Sequence, residues 1–371
     1  MRVFFRVDAS LAIGTGHVMR CLTLAQALVA EGAKCEFICR EHSGHMIEAI
    51  RSRGFSVRAL SIGTRRINEK EAEPKTAHSA WLDSSWQEDA EQTRREIEYT
   101  AIDWLVVDHY ALDRRWEEAV TPGGCRLLVI DDLADREHAC DLLLDQNLGR
   151  LPMDYAPLVQ PTCRCLIGPK YALLRPEFAQ MREASLARRA APRVQHLLVT
   201  LGGVDKDNST LAVLAALQQC ALPEDCTINV VMGVNAPWLN EVKDHAAKMP
   251  WATEVAVNVT NMAQRMCEAD LAIGAAGSTS WERCCLGLPS VTVVLAENQR
   301  PVGRALQAVG ASILIGLTED IKHRLPDAYR AISGPEKLKG ISDAAAATTD
   351  GNGVERLCFE MMGDGNERRD G

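Results

Sequence analysis

Residues 8–20 read DASLAIGTGHVMR. They follow the apolar run VFFRV and precede a stretch in which Val18, Cys21, Leu22, Ala25, Leu28 and Val29 recur at helical spacing, ending near Gly32. A strand therefore turns on Gly14 and Gly16 and delivers His17 into the first turn of a helix. Small residues at such a turn let a ligand approach the backbone, and the free N–H groups of a helix start favour anions. His17, Gly14, Gly16 and Arg20 become the first candidates for a site that takes a phosphate-bearing molecule.

Outward from this stretch the alternation continues. A strand near 35–39, a helix near 45–53 and a strand at 56–60 follow, then a polar, uneven stretch near 61–85 that reads as a surface loop or insertion. Its later part, HSAWLDSSW, carries two tryptophans and is expected to fold back on the sheet. The rhythm resumes with a helix near 87–99 and the strands WLVVDHY, RLLVIDD and DLLLDQN. Strict alternation of strand and helix implies a parallel sheet covered on both faces. Ligands of such sheets bind at the carboxyl ends of the strands, so Asp8, Asp108, His109, Asp131, Asp132, Asp145, Gln146 and Asn147 are placed on one rim.

The Pro-rich segment after Leu151 reads as a linker, and a second alternating run begins with HLLVTLGG near 195. The expectation is an N-terminal Rossmann-like domain over 1–150 that carries the His17 loop, a linker region over 151–192, a C-terminal Rossmann-like domain over 193–362 and a disordered tail over 363–371. The fold class is α/β, with two doubly wound Rossmann-like domains facing each other across a cleft. In the second domain, VTLGG places Gly202 and Gly203 before a helix. LAIGAAGSTSWE places Gly274, Gly277, Ser278 and Thr279 at a helix start, with Glu282 one turn on. Backbone N–H groups and hydroxyls there suit a diphosphate, and a carboxylate suits the two hydroxyls of a ribose. The plainer reading stands beside it: Ser278 or Thr279 caps the helix and Glu282 is its capping-box acid.

Composition sets the bounds. The chain has 371 residues, 47% hydrophobic and 25% charged, the profile of a globular protein of roughly two domains. A net charge of −9 disfavours nucleic acid as a partner. No apolar run reaches the roughly 18 residues that would span a bilayer. MRVFFRVDAS lacks the features of a signal peptide, so no membrane association is expected and the location is expected to be cytoplasmic. Thirteen cysteines, none in paired zinc-knuckle spacing, read as buried thiols in a reducing compartment. No metal and no cofactor is implied; Asp131, Asp132 and Asp135 could hold a cation, but a loop of solvated acids is the commoner arrangement. His42 and His45 are assigned to the surface, His109 either to a second polar contact or to a hydrogen-bonded rim, and the oligomeric state stays open. GxGxxG after the first strand, GxxxxGK[ST] and GxSxG are all absent from the sequence, which disfavours a nicotinamide dehydrogenase, a P-loop ATPase and a serine hydrolase.

The motifs DASLAIGTGHVMRCLTLA, VVDHYALD, DDLADREHACDLLLDQN, GPKYALLRPEF, VTLGGVDKDN and IGAAGSTSWERCCLGLP, followed by LAENQ, fall in order along most of the chain. Together they closely resemble the PseG family of the pseudaminic acid pathway, whose members hydrolyse UDP-2,4-diacetamido-2,4,6-trideoxy-β-L-altropyranose to the free sugar and UDP. That family is similar to the two-domain GT-B glycosyltransferases of the MurG kind. The resemblance implies that UDP binds mainly to the C-terminal domain and the sugar in the cleft. It further implies that His17 is the catalytic base, Arg175 the substrate-binding arginine and Glu282 the ribose-binding glutamate. Asn298 and Gln299 are implied to contact the sugar or the diphosphate. Asp8, Asp108 and His109, placed on the rim by the strand ends, are candidates to support His17. Two other readings remain: a GT-B glycosyltransferase, and a non-catalytic UDP-sugar-binding protein.

Overall fold

The structure, a computed structural model, describes residues 1–62 and 76–363, so the central part of the polar stretch near 61–85 and nearly all of the expected tail lie outside the described residues. The chain divides into two units. The first comprises residues 1–173 together with the chain from Val354, and the second spans Leu174–Gly353.

In the first unit seven strands form one parallel sheet. They are β1 (Arg2–Val7), β2 (Lys34–Arg40), β3 (Ser56–Leu60), β4 (Trp104–Asp108), β5 (Arg126–Ile130), β6 (Leu142–Asp145) and β7 (Arg164–Ile167), ordered β3-β2-β1-β4-β5-β6-β7. Residues such as Phe5, Val106 and Leu128 pack under helices on one face, and Phe4, Leu105 and Leu127 on the other. Both faces are covered, which is why WLVVD reads as a continuous apolar run rather than an alternating one. The order reverses between β1 and β4, where Val7 stands opposite Asp108. The helix Gly16–Ala30 leaves β1 at this point and buries Val18, Cys21, Leu22, Ala25 and Leu28 of the face that the spacing predicts, while Val29, the last of that face, is exposed.

The second unit repeats the plan with six parallel strands: β8 (His196–Thr200), β9 (Thr227–Met232), β10 (Ala252–Val257), β11 (Leu271–Ala275), β12 (Ser290–Val294) and β13 (Ile313–Leu317), ordered β10-β9-β8-β11-β12-β13. Its reversal lies between β8 and β11, the two strands that lead into the glycine turns. Both sequence motifs therefore sit at topological switch points, the positions at which open α/β sheets bind ligands.

Three differences from the sequence reading have local causes. The segment expected as a linker over 151–192 contains β7, which pairs with β6, and a helix Pro176–Arg188. Helices Ile321–Ile332 and Pro335–Ala346 follow β13, the first carrying an internal Pro326 that obscures its periodicity. The last helix, Gly353–Gly363, packs against the first unit: Leu357 is buried beside Val3, and Trp104 Nε1 donates to the carbonyl of Met361 at 3.1 Å. All thirteen cysteines are free, and none is more than half exposed. Among the described residues no helix is long and apolar enough to cross a membrane.

Candidate active site

Past β1 the chain makes a tight turn in which Ser10 Oγ accepts from the N–H of Ile13 at 3.0 Å and the carbonyl of Ser10 accepts from Gly14 at 2.9 Å. Gly14 has φ +80°, a conformation that glycine adopts without strain. This turn sets His17 at the second residue of its helix, 9% exposed, above the end of β4.

There the imidazole Nδ1 lies 2.6 Å from Asp108 Oδ1. Arg20, one turn on, grips the same carboxylate with Nε at 2.6 Å from Oδ2 and Nη2 at 2.7 Å from Oδ1, and reaches Asp132 Oδ2 through Nη1 at 2.7 Å. Burial pushes the Asp108 carboxyl up, but Arg20 and then His17 more than offset this and hold it well below the usual carboxylate range. A carboxylate at this distance fixes the proton on Nδ1, so the neutral ring presents Nε2 as an acceptor. Tyr110 meets the imidazole edge-on at 4.6 Å between ring centres, and its hydroxyl donates to Asp132. Trp81 stacks on Tyr110 at 5.5 Å, and His78 lies 4.4 Å from Trp81. An aromatic wall thus flanks His17.

Sequence reasoning missed this wall. Tyr110 had a signal in VVDHY, directly after Asp108 and His109; Trp81 lay in a stretch without periodicity. The described end of that stretch does pack back: Leu82 is buried in the core of this unit.

Other rim residues separate from His17. Asp8 belongs to a buried network in which Arg6 donates to both its oxygens at 2.7 and 2.9 Å, the N–H of Arg40 donates at 2.7 Å, and Arg6 and Arg40 also pair with Asp89. His109 is buried with Nε2 3.3 Å from Asp8, and burial pulls its pKa below the ordinary histidine value. His109 Nδ1 accepts from the N–H of Ala111 at 3.1 Å, whereas its Nε2 makes no hydrogen bond among the described residues. His42 corrects the expectation of a surface residue: it is 2% exposed, bridging Asp8 at 3.3 Å and Asp83 at 2.9 Å. Sequence spacing could not reveal this, because its partners lie 34 and 41 residues away. His45 is exposed as expected. Asp131 is not a solvated acid either; it is buried, ion-paired with Arg136 at 2.8 Å and bonded to Tyr155. Gln146 accepts from the N–H of Leu173, and Asn147 donates to Asp132. Asp145, bridged to Asp131 by the Tyr155 hydroxyl, is pushed up to about 7 by burial and by Asp132. Among the described residues no cluster of His, Cys, Asp and Glu could hold a metal ion.

In the second unit the turn after β8 exposes Gly202, at φ +93°, and Gly203; a Cβ at either meets nothing within 4 Å. Gly233, which the sequence reading passed over in VVMG, donates its N–H to the carbonyl of Gly203 at 3.0 Å, and a Cβ there would stand 2.2 Å from that oxygen. Only glycine lets the two turns close on each other. Neighbouring β11 leads to Gly277, exposed Ser278 and half-buried Thr279. The helix begins at Thr279 with Ser278 at its cap, and Ser278 makes no side-chain cap bond, so Glu282 does not stand in the capping-box position of this helix. Glu282 is left as a half-buried carboxyl whose nearest cation is Arg175, with Nη2 at 3.8 Å; burial pushes it up to about 7 against the pull of Arg175. Arg175 also pairs with Glu177 at 2.9 Å. Gln299 approaches the turn, its Nε2 lying 3.5 Å from where a Cβ on Gly277 would sit, while Asn298 is exposed. The geometry thus collects Gly277, Thr279, Glu282, Arg175 and Gln299 at one switch point.

Two parallel-sheet Rossmann-like units of seven and six strands give this chain the GT-B fold. MurG of Acinetobacter baumannii superposes with a TM-score of 0.72 at 15% identity, covering 97% of this chain and 99% of that one. No protein-family model matches the chain. Among curated relatives it is 33% identical over 135 residues to protein MJ1062 of Methanocaldococcus jannaschii and 31% identical over 161 residues to the spore coat polysaccharide biosynthesis protein SpsG of Bacillus subtilis, or 36% and 43% of this chain. The chain spans only 28% and 46% of the length of those two relatives. It is 25% identical over 316 residues to the UDP-2,4-diacetamido-2,4,6-trideoxy-β-L-altropyranose hydrolase of Campylobacter jejuni, covering 84% of this chain and 98% of that protein. The resemblance carried by the motifs holds along nearly the whole of that hydrolase.

Proposed function

We propose that this protein is a nucleotide-sugar hydrolase that cleaves a UDP-linked 2,4-diacetamido-2,4,6-trideoxy sugar to the free sugar and UDP, as the name of the Campylobacter relative states for that protein. The observation that carries the reading is the hydrogen bond of His17 Nδ1 to Asp108, which leaves Nε2 as a base beside an aromatic wall. UDP is a good leaving group. No strong general acid is needed where Arg175, Thr279 and the turn at Gly277 take up the developing diphosphate charge. What remains is to aim and deprotonate a water. An imidazole does this near neutral pH, and a positioned base contributes about 10² to 10⁴-fold. Water attacks the anomeric carbon, its proton passes to His17, and the C–O bond to the diphosphate breaks with inversion. Glu282 accepts from the ribose hydroxyls.

The folds of MurG and of other glycosyltransferases favour a second reading, transfer of the sugar to an acceptor. Incubation with a panel of UDP-sugars, without acceptor, separates the two. Release of UDP supports hydrolysis, and release only after an acceptor is added supports transfer.

A further inference from the structure

Buried charges are normally paired, because an uncompensated ion in a low-dielectric interior is costly. The other deeply buried arginines of the first unit obey this: Arg6 and Arg40 pair with Asp89, Arg20 with Asp108, and Arg136 with Asp131. In the second unit, no described carboxylate pairs with Arg189, but its guanidinium is spread over the carbonyls of Ser185, Met266, Cys267 and Ala269. Three of those four lie at the C-terminal end of the helix Met262–Glu268, where helix carbonyls carry partial negative charge.

Arg283 has no such arrangement: the charge of neighbouring Glu282 is felt there, but not at ion-pair distance. Its side chain is 1% exposed, and no described carboxylate makes an ion pair with it. Its Nη2 donates to the carbonyl of Ala275 at 2.8 Å and to Ser280 Oγ at 3.0 Å, its Nη1 donates to Thr279 Oγ1 at 3.2 Å, and its Nε is buried without a hydrogen bond. Adjacent Glu282 turns instead toward Arg175. Space for the guanidinium comes from Gly274, where a Cβ would stand 2.5 Å from Arg283 Nη1 and 3.2 Å from the carbonyl of Thr200. This cation, without an ion-pair partner among the described residues, therefore lies at the switch point between β8 and β11, directly beneath the turn assigned to the diphosphate. A hydroxyl has one proton and two lone pairs; with Arg283 donating to Thr279 Oγ1, the Thr279 proton is directed away from the guanidinium.

We propose that Arg283 is a positioning residue for the diphosphate. It orients the Thr279 hydroxyl as a donor and supplies a buried positive charge whose counter-charge is the bound ligand. This rests on the reading of the second unit as the UDP site. The glycine at 274 is then present to admit a guanidinium rather than to let the ligand approach.

The test is calorimetric titration of the full chain with two probes, UDP and uridine, which differ only in the diphosphate. Arg283→Met is expected to weaken UDP by about 10- to 100-fold, the size of a lost charge-assisted contact, while leaving uridine unchanged. Arg283→Lys, which keeps the charge, is expected to recover most of that loss. Equal weakening of both probes, or unchanged UDP affinity, overturns the inference. If Arg283→Met does not fold by circular dichroism, Thr279→Val at the half-buried hydroxyl carries the test: UDP weakens, uridine does not, and an unchanged UDP affinity counts against the proposal. Failure of the wild type to bind either probe would refute the functional reading itself, which is a distinct result.

Discussion

His17 Nδ1 stands 2.6 Å from Asp108 Oδ1, and the same carboxylate is clasped by Arg20 three residues along the helix. Asp108 thus fixes the ring's tautomer and is itself kept ionised by its neighbours. Asp108→Asn preserves shape but offers Nδ1 an amide that can also donate, so the ring can settle with its proton on Nε2. Turnover is expected to fall by about 10² to 10⁴-fold with UDP affinity within about twofold of wild type. Steady-state kinetics with a calorimetric titration checks this, and a variant that turns over normally would remove Asp108 from the mechanism.

Glu282 gives a pH signature. Its carboxyl is pushed up to about 7 by burial, so in the free protein it is largely protonated below that pH and ionised above it. An ionised carboxylate is the better acceptor for a vicinal diol. Uridine, which has no phosphate to titrate, should therefore bind more tightly as pH rises from about 6 to 8. Glu282→Gln should weaken uridine and flatten that dependence. A slope that survives in Glu282→Gln assigns the effect to another group.

These two sites show how far the sequence reading reached. Residues 8–20 predicted the strand, the turn on Gly14 and the helix that carries His17, because small residues and helical spacing are local signals. The switch points were also legible, since a parallel sheet places strand ends on one rim. What that rim does was not. Asp8 and Asp108 look alike in sequence, yet Arg6 and Arg40 draw one into a buried network while His17 and Arg20 hold the other. His42 was misread for the same reason, its partners being brought by β1 and by the turn after Leu82. Arg283 was invisible because neither burial nor the absence of a partner is written in local spacing, and for Trp81 the fold-back of its segment was legible but its stacking on Tyr110 was not.

The network around Asp89 has a stability consequence. Asp89 accepts from Arg6, Arg40 and Trp116, all buried. Asp89→Ala leaves the Arg6 guanidinium with Asp8 alone and takes from the Arg40 guanidinium its described carboxylate partner, and a loss of about 3 to 5 kcal/mol is expected. Burial raises the Asp89 pKa, but Arg6 and Arg40 together outweigh it and the net shift is downward. The stabilisation is therefore present above the unfolded value of about 3.9 and is lost as pH falls through the lower folded value. Thermal melts from pH 3 to 7 should show a gap between wild type and Asp89→Ala that closes toward acid; a gap independent of pH contradicts this account.

The bond that breaks can be identified by isotope. With the reaction run in ¹⁸O water, attack at the anomeric carbon places the label in the free sugar and none in UDP. Mass spectrometry of both products decides it, and label in UDP would mean attack at phosphorus.

The central claim is that His17 activates water at the anomeric carbon of a UDP-sugar. Its most direct test follows UDP released from UDP-2,4-diacetamido-2,4,6-trideoxy-β-L-altropyranose, with no acceptor present, by wild type and by His17→Ala, alongside UDP affinity for both. The account predicts release by wild type, loss of at least about 10²-fold in His17→Ala, and UDP affinity nearly unchanged. Near-normal release by His17→Ala, or no release by wild type without an acceptor, would contradict it.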